Sequence, residues 1–331
     1  MGENVIDNCS GCILAHSMGL GKSLTVISFI RTFFDHPISD PSPVVVDPHT
    51  TMMRTSSSTD VDAVSPAPPH QKTLRTALIV APKNTLQNWV NEFEKWTPPN
   101  ARSHIIKVFN IDSGTTSDSD RVKKLQQWYQ KGGVMIIGYE MFRNMTYIDE
   151  TKTKLLVVPG TTPTTTTSKK GKPDYGHEIR RYLVNPGPDL VIADEAHFIK
   201  NANSKTFTAM NSIRTKRRVA LTGTPLQNNL REYYCMVNWV RDGFLSSQTE
   251  FNKLFVVPIV NGQSNNATEE DLQRMKNRAY VLHKKLKKIV DRVDMSQLTN
   301  ELPVRFNSLP GILYFQFIRI TFIIIRRCGS S

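Results

Sequence analysis

Cysteine is scarce here: four in 331 residues, in a chain of intracellular appearance, which excludes a disulfide-stapled scaffold. Long apolar runs are scarce too. No apolar h-region follows Met1, so no export signal is expected. The opening Met1-Gly2-Glu3-Asn4-Val5-Ile6 lacks the Ser or Thr that N-myristoylation requires. No self-similarity appears at solenoid periods. Acidic residues are in deficit, 29 against 42 Lys and Arg, for a formal net charge of +13. Such a surplus suits a polyanionic partner, nucleic acid before membrane. With 39% apolar and 21% charged residues the chain can bury a sizeable core, so wholesale disorder is excluded. Its length is that of about two domains at roughly 150 residues each.

Two low-complexity stretches divide the structured blocks. Residues 37–72 contain seven Pro and ten Ser or Thr, too little apolar surface to offset ordering entropy, and are expected to form a disordered insert. A second insert is expected over 150–177, around Thr161-Thr162-Pro163-Thr164-Thr165-Thr166-Thr167. Between them lie short apolar runs: Ile13-Leu14-Ala15, Ala77-Leu78-Ile79-Val80, Val134-Met135-Ile136-Ile137, Leu190-Val191-Ile192-Ala193 and Val219-Ala220-Leu221. Each is continuous rather than alternating, as in strands buried on both faces of a parallel sheet. Helical patterns over 23–34, 85–96, 121–130 and 205–213 fall between them. Alternating strand and helix predicts an open, mostly parallel α/β sheet with helices on both faces. Ligands in such sheets sit beyond the carboxyl ends of the strands, so the loops starting at His16, Ala81, Asp194 and Thr222 should share one rim. Over 269–294, Leu272, Met275, Ala279, Leu282, Leu286, Ile289 and Val293 recur at steps of three and four, which predicts an amphipathic helix. Its outer face carries Arg274, Lys276, Arg278, Lys284, Lys285, Lys287 and Lys288.

After the first strand comes His16-Ser17-Met18-Gly19-Leu20-Gly21-Lys22-Ser23, then a helix. Strand, glycine-rich turn and helix are the setting of a Walker A loop, with His16 where the full pattern has its first glycine. Glycines let backbone N–H groups close around phosphate oxygens, and the helix N-terminus favours negative charge. Lys22 would reach the β and γ phosphates of ATP, and the Ser23 hydroxyl would bind Mg²⁺. The strand Leu190-Val191-Ile192-Ala193 leads into Asp194-Glu195-Ala196-His197, the Walker B layout. The first acid would hold Mg²⁺ with Ser23, and the second would polarise the attacking water. Consecutive strand side chains point oppositely, so the turn must bring both acids to one site. Either motif alone has a bland alternative, a structural glycine turn or a solvated pair of acids. Their occurrence in one chain favours chemistry.

The two motifs together resemble those of the SNF-type chromatin-remodelling ATPases of the helicase-like class. Leu221-Thr222-Gly223-Thr224-Pro225-Leu226-Gln227-Asn228-Asn229 is similar to that family's third motif over nine residues. Gly11-Cys12-Ile13-Leu14-Ala15-His16, Asn91-Glu92-Phe93-Glu94-Lys95-Trp96, Gly132-Gly133-Val134-Met135-Ile136-Ile137-Gly138-Tyr139-Glu140-Met141 and Cys235-Met236-Val237-Asn238-Trp239 resemble its ATRX branch in particular. The resemblance spans 11–303 apart from the inserts. It implies a RecA-like P-loop NTPase lobe over 1–245 and a basic helical extension over 246–303. Pro82, Lys83, Asn84 and Thr85 would form the DNA-facing motif Ia. Thr222, Gly223 and Thr224, with His197, would couple phosphate state to lobe movement. The implied activity is DNA-stimulated ATP hydrolysis that drives translocation on duplex DNA and remodels nucleosomes, in the nucleus and without strand separation. Ser23 stands for the family's usual Thr, and Ala196 for the Gly usual in the ATRX branch. The adenine-recognising segment would lie upstream of Gly11, and a second RecA-like lobe with its arginine finger is expected to be missing. Such a finger contributes about 10³–10⁵ in turnover, so this chain alone should hydrolyse ATP very slowly.

Several features stay open at this level. Residues 304–331 are expected to match nothing in the family. The apolar stretch 311–325 is broken by Gln316 and Arg319 and falls short of the ~20 residues a span needs; a mispredicted or alternatively spliced reading-frame end is the favoured explanation. Cys9 and Cys12 form a C-x-x-C with no second pair at zinc spacing, so Cys12 is expected to pack in the first strand. Arg214, Lys216, Arg217 and Arg218 form either a DNA phosphate contact or a solvated turn. His197 is a coupling residue or a surface histidine, the resemblance favouring the first. Trp89 and Trp96, seven apart, are expected in the core. Three readings follow: an ATPase lobe, a catalytically inactive DNA- or chromatin-binding fragment, and a truncated product that does not fold stably.

Overall fold

In the computed structural model, residues 11–35, 75–97, 106–111, 114, 117–147, 175–223 and 230–293 are described. The insert 37–72, nearly all of 150–177, Cys9, Thr224 and the tail 304–331 lie outside them. The helix Gly176–Leu183 already begins inside the second stretch, so the expected insert ends sooner than its composition suggests.

The five apolar runs are strands of one parallel sheet: β1 Cys12–His16, β2 Thr76–Ala81, β4 Gly133–Gly138, β5 Leu190–Ala193 and β6 Arg218–Leu221. Two strands unmarked in the sequence complete it, β3 Val108–Ile111 and β7 Val290–Val293, giving the order β3-β4-β2-β5-β6-β1-β7. Both are edge strands. They carry Asn110, the exposed Arg292 and Asp291, which is itself buried, and these polar residues hide the apolar run. The expected helix over 269–294 is corrected accordingly. It stops at Leu286, and Ile289 and Val293, which continue its three-four spacing, belong to the turn before β7 and to β7 itself. Ala279 is exposed rather than on the packed stripe.

Side chains alternate across the sheet as the pleat requires. Cys12, Leu14, Ala77, Ile79, Val134, Ile136, Ile192 and Leu221 pack under the helices α1 (Lys22–Asp35) and α2 (Leu86–Trp96), with Trp89 and Phe93. Ile13, Leu78, Val80, Met135, Ile137, Val191 and Ala220 pack on the other face. There they meet α3 (Asp118–Lys131), α4 (Tyr139–Thr146), α5 (Gly176–Leu183), α6 (Lys205–Asn211) and α7 (Leu230–Val240). This is the doubly wound layout expected of a RecA-like lobe. Trp89 and Cys12 are in the core as expected, whereas Trp96 is only partly buried at the core's margin, its indole N–H donating to Glu92. A helical appendage follows: α8 (Gln248–Phe251), a π-helical stretch Asn252–Val256, α9 (Val257–Gly262) and α10 (Glu269–Leu286). The last is closed at its start by a Thr268–Asp271 capping box, with three acids in the first turn and His283, Lys284 and Lys285 in the last. That charge order complements the helix dipole. No helix among the described residues is long and apolar enough to cross a membrane.

The basic cluster 214–218 divides. Arg214 and Lys216 are exposed, whereas Arg218 is 1% exposed at the amino end of β6, on the edge opposite the expected ligand rim. Its guanidinium donates to Thr215 O (2.9 Å), Asn211 Oδ1 (3.0 Å), Trp239 O (2.8 Å), Asn211 O (3.3 Å) and Ile213 O (2.6 Å). Those five acceptors match the five N–H donors of arginine and tie the ends of α6 and α7 to β6. Burial pushes this group down to about 10, partly offset by Asp242, so it stays charged at neutral pH. Arg218→Met keeps the bulk but strands these buried carbonyls. The unfolding free energy in urea is expected to fall by about 3 kcal/mol, and a loss below about 1 kcal/mol would contradict the account of a satisfied buried cation.

Candidate nucleotide site

The phosphate-type loop begins where β1 ends. Gly19 and Gly21 take φ of +81° and +73°, left-handed values that favour glycine, and they turn the chain from β1 into α1. Thr25 donates to Gly21 O through both its N–H (2.9 Å) and its hydroxyl (3.1 Å), which fixes the first turn of α1 behind the loop. The Lys22 ammonium lies across the loop, donating to His16 O at 2.8 Å and Ser17 O at 3.2 Å. Burial lowers its pKa, while the nearby carboxylates of Glu195 and Asp194 raise it in opposition. Ser23 is half-buried, and Met18 is exposed.

The acidic pair comes from the end of β5. Parallel strands lie about 4.8 Å apart, and only β6 separates β5 from β1. Asp194 and Lys22 therefore face each other across little more than one strand. Asp194 is gripped from three sides. Its Oδ2 accepts from Trp89 Nε1 at 2.9 Å, its Oδ1 from the Glu195 N–H at 3.0 Å, and its carbonyl from the Tyr139 hydroxyl at 2.7 Å. Burial raises the Asp194 pKa, the Trp89 bond lowers it, and neighbouring Glu195 raises it. Burial likewise holds the Tyr139 hydroxyl well above its usual value, so it remains a donor. Glu195 sits at φ +48°, ψ 57°, a left-handed conformation costly for a residue with a Cβ. That torsion is the turn needed to bring two consecutive acids to one side of the sheet. His197 Nδ1 stands 3.2 Å from Glu195 Oε2, close enough for an ion pair when protonated though not aligned as a hydrogen bond. The His197 ring also packs on Phe198, which stacks on Tyr139 at 5.1 Å.

Between the two motifs, β6 ends in Thr222, which is fully buried and donates its N–H to Leu14 O at 3.0 Å. A Cβ built on Gly223 would stand 3.2 Å from Met18 Cγ and 3.6 Å from Lys22 Nζ, so this glycine abuts the phosphate-type loop. Pro82, Lys83, Asn84 and Thr85 lie on the same rim at the end of β2, with Lys83 and Asn84 exposed in a single 3₁₀ turn. The rim thus gathers Lys22, Ser23, Asp194, Glu195, Thr222, Gly223 and 82–85, as the strand reading anticipated. His16 departs from it. Its backbone carbonyl belongs to the loop, but its imidazole is fully buried and bonded to Asp291 of β7. Sequence reasoning missed Trp89 and Tyr139 as partners of Asp194. The only signal was a tryptophan placed one turn inside a helix that starts on the rim. Among the described residues no cluster of three or more His, Cys, Asp or Glu could hold a metal by itself. Ser23 and the anchored Asp194 carboxylate lie on the same rim as Lys22, and oxygen donors of this kind suit a hard divalent cation.

The sequence matches a SNF2-related domain over residues 4–310. It is 38% identical over 317 residues to human "Transcriptional regulator ATRX", covering 93% of this chain and 11% of that protein. Human "Helicase ARIP4" is 36% identical over 352 residues, 97% of this chain and 21% of that one. Arabidopsis thaliana "Protein CHROMATIN REMODELING 20" is 37% identical over 340 residues, 97% of this chain and 19% of that one. The chain therefore spans about a tenth to a fifth of the length of these curated relatives. Among solved structures, a Sulfolobus solfataricus SWI2/SNF2 ATPase core in complex with dsDNA aligns over 96% of this chain and 54% of its own, at 18% identity and a TM-score of 0.49. A sequence match running from residue 4 to residue 310 makes the chain a member of the SNF2-related family of helicase-like ATPases.

Proposed function

We propose that this chain is the ATP-binding lobe of a DNA-dependent ATPase that moves along duplex DNA to remodel nucleosomes in the nucleus, working with a second RecA-like lobe. The observation that carries the proposal is the mutual placement of Lys22, Asp194 and Glu195 across one strand of the rim. Lys22 would exchange its two carbonyl partners for β and γ phosphate oxygens. Loop N–H groups from 17 to 22 and the start of α1 would meet the remaining charge. Ser23 and Asp194 would hold Mg²⁺, which when bound neutralises charge on the phosphates. Glu195, set free of its strand by the left-handed turn, would orient the attacking water and accept its proton, with His197 restraining the carboxylate. Thr222 and Gly223, wedged between the loop and the acids, would sense the γ phosphate, and Thr224 would continue that segment. Pro82, Lys83, Asn84 and Thr85 would meet the DNA backbone. α10 and the turn after it, with Lys276, Lys284, Lys285, Lys287 and Lys288 exposed, add a basic face.

The same face supports the second reading, a fragment that holds DNA or chromatin without turnover. Turnover separates the two. ATP hydrolysis measured with and without duplex DNA, beside a chain extended through a second lobe, is expected to be DNA-stimulated in the extended form. Absence of turnover in both would favour the binding fragment. Lys22→Ala should abolish Mg·ATP binding, and equal affinity in both proteins would remove the phosphate-loop assignment. Glu195→Gln should bind Mg·ATP as the parent does and hydrolyse none; unchanged turnover would place the base elsewhere. Trp89→Phe keeps the aromatic bulk but removes the N–H that steadies Asp194. The Mg²⁺ concentration for half-maximal hydrolysis in the extended form is expected to rise about tenfold, the scale of one hydrogen bond to a charged group. An unchanged Mg²⁺ response would show that Trp89 is only packing.

A further inference from the structure

β7 carries a buried polar pair that the proposed reaction does not use. The His16 side chain is fully buried, Asp291 is 7% exposed, and Nε2 stands 3.0 Å from Oδ2. The register pairs Leu14 with Asp291 and His16 with Val293, so the contact runs diagonally between adjacent strands on the face covered by α1. Burying a carboxylate in a sheet costs several kcal/mol before its partner repays it, and two apolar side chains would join the strands more cheaply. His16 Nδ1 is buried without a hydrogen-bond partner. A lone pair is the less costly group to leave so, which assigns the proton to Nε2, facing Asp291. The contact falls on the last residue of β1. The next residue, Ser17, donates its N–H to Val293 O at 3.1 Å, and the carbonyls of His16 and Ser17 are the two that hold Lys22 Nζ.

We propose that His16 and Asp291 are positioning residues for Lys22. Their bond pins the carboxyl end of β1 to β7, so that the two carbonyls present the ammonium at the mouth of the loop, and a displacement of β7 is transmitted to the lysine. The inference rests on reading Lys22 as the phosphate-binding lysine. Apolar pairing alone would hold the two strands together. The polar pair adds a directional constraint on how far β1 extends before the loop begins.

The test compares binding of a fluorescent ATP analogue with Mg²⁺, together with thermal unfolding, in the parent chain and in His16→Gln, His16→Leu, the double variant His16→Leu/Asp291→Leu, and Lys22→Ala. His16→Leu is expected to bind about tenfold more weakly, the scale of one lost hydrogen bond to a charged group. His16→Gln, whose side-chain amide reaches the Nε2 position, should bind near the parent value. The double variant should recover thermal stability, because replacing both partners of a buried polar contact by apolar groups leaves neither one stranded, without recovering affinity. Recovery of affinity along with stability would reduce the pair to a structural contact and overturn the proposal. So would parent-like binding by His16→Leu while Lys22→Ala has lost it. Parent-like binding by Lys22→Ala would instead overturn the underlying phosphate-loop reading.

Discussion

Parallel pairing of β1 with β6 and of β6 with β5 sets the spacing on which everything at the rim depends. Cys12 lies opposite Val219, and Ile192 lies opposite Val219 from the other side. In this register Asp194 falls level with Leu221 and Leu14, Thr222 one residue further and His16 two, so the three loops leave the sheet side by side in a short stagger. Slipping any of these pairings by one residue would turn every side chain of that strand to the other face. The register is protected because the faces differ in what covers them: among the described residues, α1 and α2 on one and α3 to α7 on the other. Lys22 and Asp194 are thus held apart by a fixed width of sheet rather than by flexible loops.

The buried arginine at the far edge serves the same geometry. Arg218 opens β6, and its five bonds fasten that strand to the C-terminal ends of α6 and α7. β6 carries Thr222 and Gly223 at its other end, so the anchor at one edge fixes the height of the segment wedged between the two motifs at the other. Reading the cluster 214–218 as a uniform charge run conceals this, because nothing in the sequence separates the buried arginine from its exposed neighbours.

What was legible in the sequence was local. Five strands stood out because both of their faces are buried, and the loop glycines, Lys22, Ser23 and the two acids stood out because their spacing is short. β7 was hidden by its charges and by an accidental continuation of the helical period through Ile289 and Val293. The partners of the site residues were hidden by distance along the chain: 105 residues separate Trp89 from Asp194, 55 separate Tyr139 from Asp194, and 275 separate His16 from Asp291. Pattern reading finds the motif residues, while the side chains that contact them come from folding and carry no spacing. The histidine in the loop shows the difference, since it reads as a substituted glycine but folds as a cross-strand tie.

The lysine at the mouth of the loop keeps its own company. An ammonium has three N–H donors, and two of them already meet the carbonyls of His16 and Ser17. Any anion arriving there enters a competition rather than an empty slot, and each hydrogen bond it forms beyond the first displaces one that exists. A singly charged oxyanion gains little from such an exchange, whereas a ligand presenting several charged oxygens at once gains on each. The carbonyls of His16 and Ser17, at 2.8 and 3.2 Å, are thereby the groups that such a ligand must displace.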